Sequence, residues 1–126
     1  MNKFRKYVCV GDSVEKEWNG MTLRAELLHD EFMTPDFCDC YSNEHIESWK
    51  RGEWFFGGLT VSLLCDDSVL GESLTSLWGL DCNVVDDNRY LDEVAEELFA
   101  EAEPAAITIV AELLGKLSKV DCEVTA

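Results

Sequence analysis

The sequence predicts an α+β protein in which a four-stranded antiparallel sheet, made of two hairpins, is covered by a C-terminal helix or kinked helix pair. Three observations lead to this class. An Asn-Gly pair stands between two alternating stretches, which is the strongest short-range hairpin signal. A second pair of stretches, rich in aromatic and β-branched residues, flanks an Asp-Asp-Ser turn. Beyond residue 90 apolar residues recur at helical spacing, so we expect the order ββαββα in a single domain over residues 1–126.

The N-terminal part contains alternating patterns typical of strands. Residues 4–10 alternate in polarity, which predicts a half-buried strand. Asn19-Gly20 then joins predicted strands at residues 14–18 and 21–28, because both turn residues of such a hairpin take positive φ. Periodicity is lost over residues 29–41, where Pro and Asp indicate a loop.

A short helix and the second hairpin are predicted next. Ser42 offers an N-cap oxygen to the helix, and Gly52 follows a basic pair at its end. Residues 54–64 and 70–80 are the predicted strands, joined by the Asp-Asp-Ser turn. Gly57-Gly58 in the first of them indicates a bulge or close packing.

The last element is a helix with an apolar side and an acidic side. Asp86, Asp87 or Asn88 is expected to cap it. Pro104 either kinks this helix or begins a second one over residues 105–119. We expect buried apolar residues in both parts, namely Leu91, Val94, Ala95, Leu98, Phe99 and Ala102, followed by Ile107, Val110, Leu114 and Leu117.

The net charge is the best clue to function. It is −16 over 126 residues, and no Lys or Arg occurs between Arg51 and Arg89. A magnitude of roughly 2 to 8 is enough to keep a small domain soluble, and a larger one destabilises the compact state by self-repulsion. The acidic balance argues against direct nucleic-acid binding, which needs cations, and against anionic membrane surfaces. Basic proteins remain as the expected partners.

Three interpretations of the acidic residues stay open: a solvated helix face, adaptation to high salt, and a functional anionic surface. Carboxylates at positions i and i+4 of a helix lie about 6 Å apart, comparable to neighbouring phosphates on one nucleic-acid strand. Like charges at this spacing destabilise a helix slightly, which favours a role for an external cation or partner. Each of the four Trp residues is expected to pack in the core, and Trp49 is the choice if one of them is exposed. The predicted partner-binding residues are Asp86, Asp87, Asp92, Glu93, Glu96, Glu97, Glu101 and Trp49.

Catalytic and metal-binding patterns are weak. The two histidines lie in no nucleophile or base motif, and no phosphate-binding loop is present. Cys38 and Cys40, with His29, His45 or other ligands, form an incomplete zinc pattern because a second paired cluster is missing. We therefore expect no enzyme activity, no cofactor and no metal. A small metal- or thiol-dependent regulator or enzyme is the alternative.

The chain has no apolar run near the roughly 20 residues of a membrane span, and its first ten residues are not those of a signal peptide. A cytoplasmic location is therefore expected. Cytosolic cysteines are normally reduced, so the six cysteines are expected to be free thiols.

Three segments carry a resemblance: residues 46–54 (IESWKRGEW), 76–80 (SLWGL) and 90–98 (YLDEVAEEL). Together they resemble small acidic proteins of bacteriophages and mobile elements, a group that includes anti-CRISPR and anti-restriction inhibitors. The resemblance covers most of residues 5–100. It implies an inhibitor of a nucleic-acid-targeting defence complex, such as a CRISPR effector, that binds a Lys/Arg-rich groove by negative-charge mimicry. The resemblance also implies that this happens in the host bacterial cytoplasm. A DNA-mimic inhibitor of a restriction-modification enzyme is the alternative.

Overall fold

The computed structural model describes residues 2–37, 39–84 and 88–120. Four strands form one antiparallel sheet in the order β1-β2-β3-β4, and the predicted α+β class and ββαββα order are confirmed. A 3-10 turn at Pro35–Phe37 precedes the first helix. The elements are β1 (Ser13–Trp18), β2 (Met21–His29), α1 (Asn43–Lys50), β3 (Phe55–Cys65), β4 (Ser68–Cys82) and α2 (Tyr90–Leu117).

The first hairpin follows the prediction. Trp18 pairs with Met21, and the two turn residues Asn19 and Gly20 have φ values of 50° and 78°. Positive φ at both positions gives the turn the twist that matches its strands.

The predicted strand at residues 4–10 is wrong. Its backbone groups bind side chains from distant parts of the chain instead of a neighbouring strand. The Val8 N–H donates to Asn83 Oδ1 at 3.0 Å, and the Asn83 Nδ2 group donates to the Val8 carbonyl at 2.8 Å. Asn88 Nδ2 donates to the Lys6 carbonyl at 2.7 Å. The segment is therefore held by Asn side chains as irregular backbone along the core, with Val8 fully buried.

Helix α1 begins and ends as predicted. The Ser42 hydroxyl accepts from the His45 N–H at 3.1 Å, and Gly52 follows the helix with φ of 78°. The second hairpin is also confirmed. Its first strand has the predicted length and lies one residue later, and its second strand is longer than predicted.

The predicted irregularity at the glycine pair of β3 is confirmed. The register with β4 shifts between Gly57 and Leu59. The Trp78 ring lies against the neighbouring Gly58, where a Cβ would come 2.2 Å from Trp78 Cε3. A further shift lies between Val61 and Leu63, opposite Ser73.

One face of the sheet packs against the N-terminal half of α2. The predicted apolar stripe is confirmed there, with Val94 partly buried and the other members buried. The core contains Val14, Leu23, Ala25, Leu27, Leu59, Val61, Leu63, Leu80 and Cys82 from the strands, and Leu91, Ala95, Leu98, Phe99, Ala102 and Ala106 from α2.

The second predicted buried face is wrong for three of its four residues, and Val110 alone among them is partly buried and packs against the core. Helix α2 continues through Pro104 as one helix of 28 residues, so a separate second helix is also ruled out. Ala106 is its last fully buried residue, while Ile107, Leu114 and Leu117 are 59%, 62% and 63% exposed. The reason is length, because α2 extends beyond the sheet that covers its first half.

The start of α2 differs from the prediction as well. The N-cap position is Arg89, which makes no side-chain cap bond. Asn88 does not cap the helix because its side chain is bound to Lys6 and Asn83. Asp86 and Asp87, the other predicted caps, lie outside the described residues. No helix in the described ranges is long and apolar enough to cross a membrane.

Candidate functional site

The outer side of α2 carries the predicted acidic surface. Glu93, Glu97 and Glu101 recur every four residues and form one row along the helix, with Glu96 on the adjoining row. We call these four residues the acidic face. All four are exposed. Within the described part of the chain, none of them has a salt bridge or side-chain hydrogen bond.

The acidic face lacks partners because the cations lie elsewhere. No Lys or Arg occurs from Tyr90 to Gly115. The cations that form ion pairs in the described residues are Arg5, Lys16, Arg24, Lys50 and Arg51, and they lie on other segments. Arg89, at the N-cap of α2, lies four residues before Glu93, but no salt bridge within the described part of the chain joins a cation to the acidic face.

The position of the acidic face is fixed by the opposite side of α2, which packs against the sheet. Ala95, Phe99 and Ala102, on the opposite side of the same helical turns, are fully buried against the sheet. Thr75 Oγ1 in β4 also donates to the Leu98 carbonyl at 3.1 Å. The carboxylates thus stand on a helix whose position is set by core packing.

Two other acidic side chains of α2 are already engaged. Asp92 is half-buried, and its Oδ1 accepts from the Phe4 N–H at 2.8 Å. Glu103 lies 3.9 Å from Lys16 Nζ on β1. Asp92, a predicted partner-binding residue, therefore also anchors the N-terminal segment. Asp86 and Asp87, predicted for the same surface, lie outside the described residues.

Asp81 connects the start of α2 to the sheet and to the loop before α1. Its Oδ2 accepts from the Tyr41 hydroxyl at 2.8 Å, and its main-chain carbonyl accepts from the Tyr90 hydroxyl. Burial, together with the Asp81 charge, raises the pKa of both tyrosines. Nearby, burial raises the pKa of the Cys82 thiol to about 12. The two phenols and the thiol are therefore in their neutral forms at physiological pH.

The choice of Trp49 as an exposed Trp is wrong. Trp49 is half-buried, whereas Trp78 is 46% exposed. Trp78 borders an apolar cavity of about 430 Å³ on the sheet face opposite α2. Phe32, which is 93% exposed, and Met33 border the same cavity. No sequence pattern indicated this, because residues 30–34 form an irregular loop.

The thiols give no support for a metal site. Cys40 is disulfide-bonded, so the expectation of free thiols is wrong there: the fold places its Sγ against a second sulfur. Cys9, Cys65 and Cys82 are free, and Cys38 and Cys122 lie outside the described residues. Across residues 2–37, 39–84 and 88–120, no group of three or more His, Cys, Asp or Glu side chains is placed to hold a metal ion.

Comparison of the chain with protein-family models, with curated proteins and with solved structures finds no match. Function must therefore be argued from the chemistry of the surface itself.

Proposed function

We propose that this protein is a phage or mobile-element inhibitor of a bacterial nucleic-acid-targeting defence complex, of the anti-CRISPR type. It binds stoichiometrically to a Lys/Arg-rich groove and occupies it in place of nucleic acid. The observation that carries the proposal is the acidic face, whose four exposed carboxylates lack a cationic partner in the described chain.

The charge density of the acidic face supports mimicry of a nucleic-acid strand. Glu93 and Glu101 are eight residues apart, or about 12 Å along the helix at about 1.5 Å per residue. Four carboxylates over this length give one charge per roughly 3–4 Å, close to the roughly 3.4 Å per phosphate of one DNA strand. A groove that neutralises a strand with Lys and Arg would meet a similar linear charge.

The energetics favour an external partner. Like charges at i and i+4 destabilise a helix by a few tenths of a kcal/mol per pair. Glu93 lies in the first turn, where the helix dipole favours an anion, but Glu97 and Glu101 lie beyond the reach of that effect. Binding to a basic surface would remove this repulsion and steer association at low salt.

Two kinds of target share this mechanism. The resemblance of residues 46–54, 76–80 and 90–98 to phage and mobile-element proteins supports a defence complex as the partner. A CRISPR effector is the first candidate, and a restriction-modification enzyme is the second. The acidic face fits both kinds of target, so identification of the bound partner is what distinguishes them.

The test uses two matched variants. In the first, Glu93, Glu97 and Glu101 are changed to Gln. The control changes Glu17, Glu31 and Glu72 to Gln; these are exposed carboxylates outside α2, so the net charge of the two variants is the same. Wild type and both variants are used to capture partners from the bacterial host, and captured proteins are identified by mass spectrometry.

The purified partner is then preloaded with its DNA or RNA and titrated with this protein at two salt concentrations. We expect the protein and the nucleic acid to exclude each other, with slower association at higher salt as the Debye length shrinks. Desolvated charge pairs each couple by about 1.5 kcal/mol or more, so the α2 variant should bind at least about 100-fold more weakly and the control within about threefold. A stable ternary complex, or equal losses in the two variants, would show that the acidic face does not occupy the groove.

A further inference from the structure

An apolar cavity of about 430 Å³ lies on the face of the sheet that α2 does not cover. Its walls come from the end of β2, the loop that follows and one residue of β4, namely His29, Asp30, Glu31, Phe32, Met33 and Trp78. We call it the Trp78 cavity. Its volume falls within the roughly 300–1,000 Å³ of small-ligand sites. Because α2 and its acidic face lie on the other side of the sheet, the cavity belongs to a different surface.

Two aromatic rings border the cavity without packing on another ring. Phe32 is 93% exposed and Trp78 is 46% exposed, and within the described part of the chain neither contacts a second aromatic ring. A Cβ at Gly58 would lie 2.2, 2.5 and 2.7 Å from three adjacent atoms of the Trp78 ring. Such similar distances place Gly58 over one face of the ring and not at its edge. The opposite face of the Trp78 ring is left for the cavity.

A buried carboxylate fixes the backbone on both sides of the cavity. Asp30 is only 6% exposed. Its Oδ1 accepts from the Phe32 N–H at 3.0 Å, and its Oδ2 accepts from the N–H of Gly79, the neighbour of Trp78, at 3.0 Å. One side chain therefore ties the segment of one ring to the segment of the other. A site that is ordered before its ligand arrives loses less entropy on binding.

The walls of the cavity carry negative charge that no cation balances. The two partners of the Asp30 carboxylate are neutral N–H groups, and no salt bridge in the described residues includes Asp30 or Glu31. Lys and Arg are absent from residues 25–49 and 52–88, which supply every wall of the cavity. Buried carboxylates are normally paired with a positive charge. The cavity thus combines free aromatic faces with carboxylates that lack a counter-ion.

We propose that the Trp78 cavity binds the guanidinium group of an arginine side chain from a protein partner. The guanidinium lies against the free face of the Trp78 ring beside Phe32, and the carboxylates of Asp30 and Glu31 balance its charge. Aromatic faces attract cations, most strongly where water is excluded. Arg suits an apolar cavity better than Lys, because its guanidinium is planar, stacks on aromatic rings and is more weakly hydrated than an ammonium group.

A peptide segment fits this cavity better than free arginine. The α-carboxylate of free arginine would lie near Asp30 and Glu31, and the lining residues include no Lys or Arg to pair with it. A peptide carries neutral amides in its place, and its flanking residues can cover the exposed ring of Phe32. The net charge of −16 also draws basic segments toward the chain. The proposal does not depend on the function of the acidic face, which lies on the other side of the sheet.

The experiment titrates the whole chain with a capped peptide, Gly-Gly-Arg-Gly-Gly, and follows the indole N–H signal of Trp78 by NMR. A matched peptide carries citrulline, in which a neutral urea replaces the guanidinium at nearly the same shape. A third peptide carries lysine, and free arginine is the fourth probe. All four are titrated at low and high salt.

Two variants locate the binding. Phe32→Leu removes an aromatic wall, and Glu31→Gln removes a carboxylate. Their controls are Tyr7→Leu and Glu17→Gln, which make the same changes at exposed positions outside the cavity. Phe32 and Glu31 are themselves exposed, so we expect both cavity variants to fold, and circular dichroism checks this.

We expect the Arg peptide to bind wild type with a dissociation constant of about 1–10 mM, and more weakly as salt screens the attraction. The citrulline peptide should bind at least about tenfold more weakly, and the lysine peptide and free arginine at least about threefold. Phe32→Leu and Glu31→Gln should each weaken the Arg peptide at least about threefold, and the two controls should leave it within about 1.5-fold.

Each part of the proposal has a result that overturns it. If the Trp78 signal shows no saturable change, or if citrulline binds as tightly as arginine, the cavity is not a cation site. An Arg peptide that binds the cavity variants as tightly as wild type is bound elsewhere, for example at the acidic face. Equal binding of lysine would overturn the choice of arginine, and equal binding of free arginine would assign the cavity to a small molecule. None of these results bears on the acidic face, since capture of its partner is measured separately.

Discussion

Replacement of Gly58 by Ala should destabilise the protein through the ring of Trp78. A Cβ at position 58 would lie 2.2, 2.5 and 2.7 Å from three atoms of the indole. These distances are far below van der Waals contact, and the ring atoms belong to a rigid group. Because Trp78 is already 46% exposed, the ring can turn away from the sheet toward solvent.

The size of this destabilisation follows from the buried area of the Trp78 side chain that would become exposed. A Trp side chain buries roughly 150–250 Å², so the covered half of this one amounts to about 100 Å², worth about 2.5 kcal/mol at about 25 cal/mol per Å². Ala is favoured over Gly in a strand by roughly 0.5–1 kcal/mol. The free energy of unfolding should therefore fall by about 1.5–2 kcal/mol.

A double-mutant cycle isolates this contact. Urea unfolding is measured for wild type, Gly58→Ala, Trp78→Ala and the double variant. Once the ring is removed, Gly58→Ala has nothing to displace, so we expect it to be neutral or slightly stabilising in the Trp78→Ala background. If Gly58→Ala costs as much without the ring as with it, the strain lies in the backbone of the bulge and this explanation fails.

Two further changes probe the junction at the start of α2. The Tyr90 phenol, raised in pKa by burial and by Asp81, keeps its proton in the folded state at pH values where the unfolded chain has lost it, from about 10 upward. Its contribution to stability should be constant below pH 10 and fall above it, in addition to the losses from the Cys82 thiol and the Tyr41 phenol, whose pKa values are also raised. The urea midpoints of Tyr90→Phe should therefore fall less steeply above pH 10 than those of wild type. Asp92→Ala removes the acceptor of the Phe4 N–H and should lower the free energy of unfolding by about 1–2 kcal/mol and speed exchange of that amide. Glu93→Ala, at the exposed neighbouring position, is the control and should change stability by less than about 0.5 kcal/mol; an equal loss in both would mean that the Phe4 contact contributes nothing.

The elements predicted correctly depend on local chemistry. Asn19-Gly20 forms its turn because both residues tolerate positive φ, and Ser42 caps α1 through an atom three residues away. The N-terminal segment fails for the opposite reason. Its alternation predicted a strand, but the groups that satisfy its backbone belong to Asn83, 75 residues away in the sequence. A linear pattern does not show such partners.

The site was predicted in part for similar reasons. Helical periodicity placed Glu93, Glu96, Glu97 and Glu101 opposite the buried stripe, and the structure places them there. It did not show that Asp92 is drawn inward by the N-terminal segment. Nor does periodicity distinguish apolar residues that meet the protein's own sheet from those that extend past it, since both recur at three and four residues.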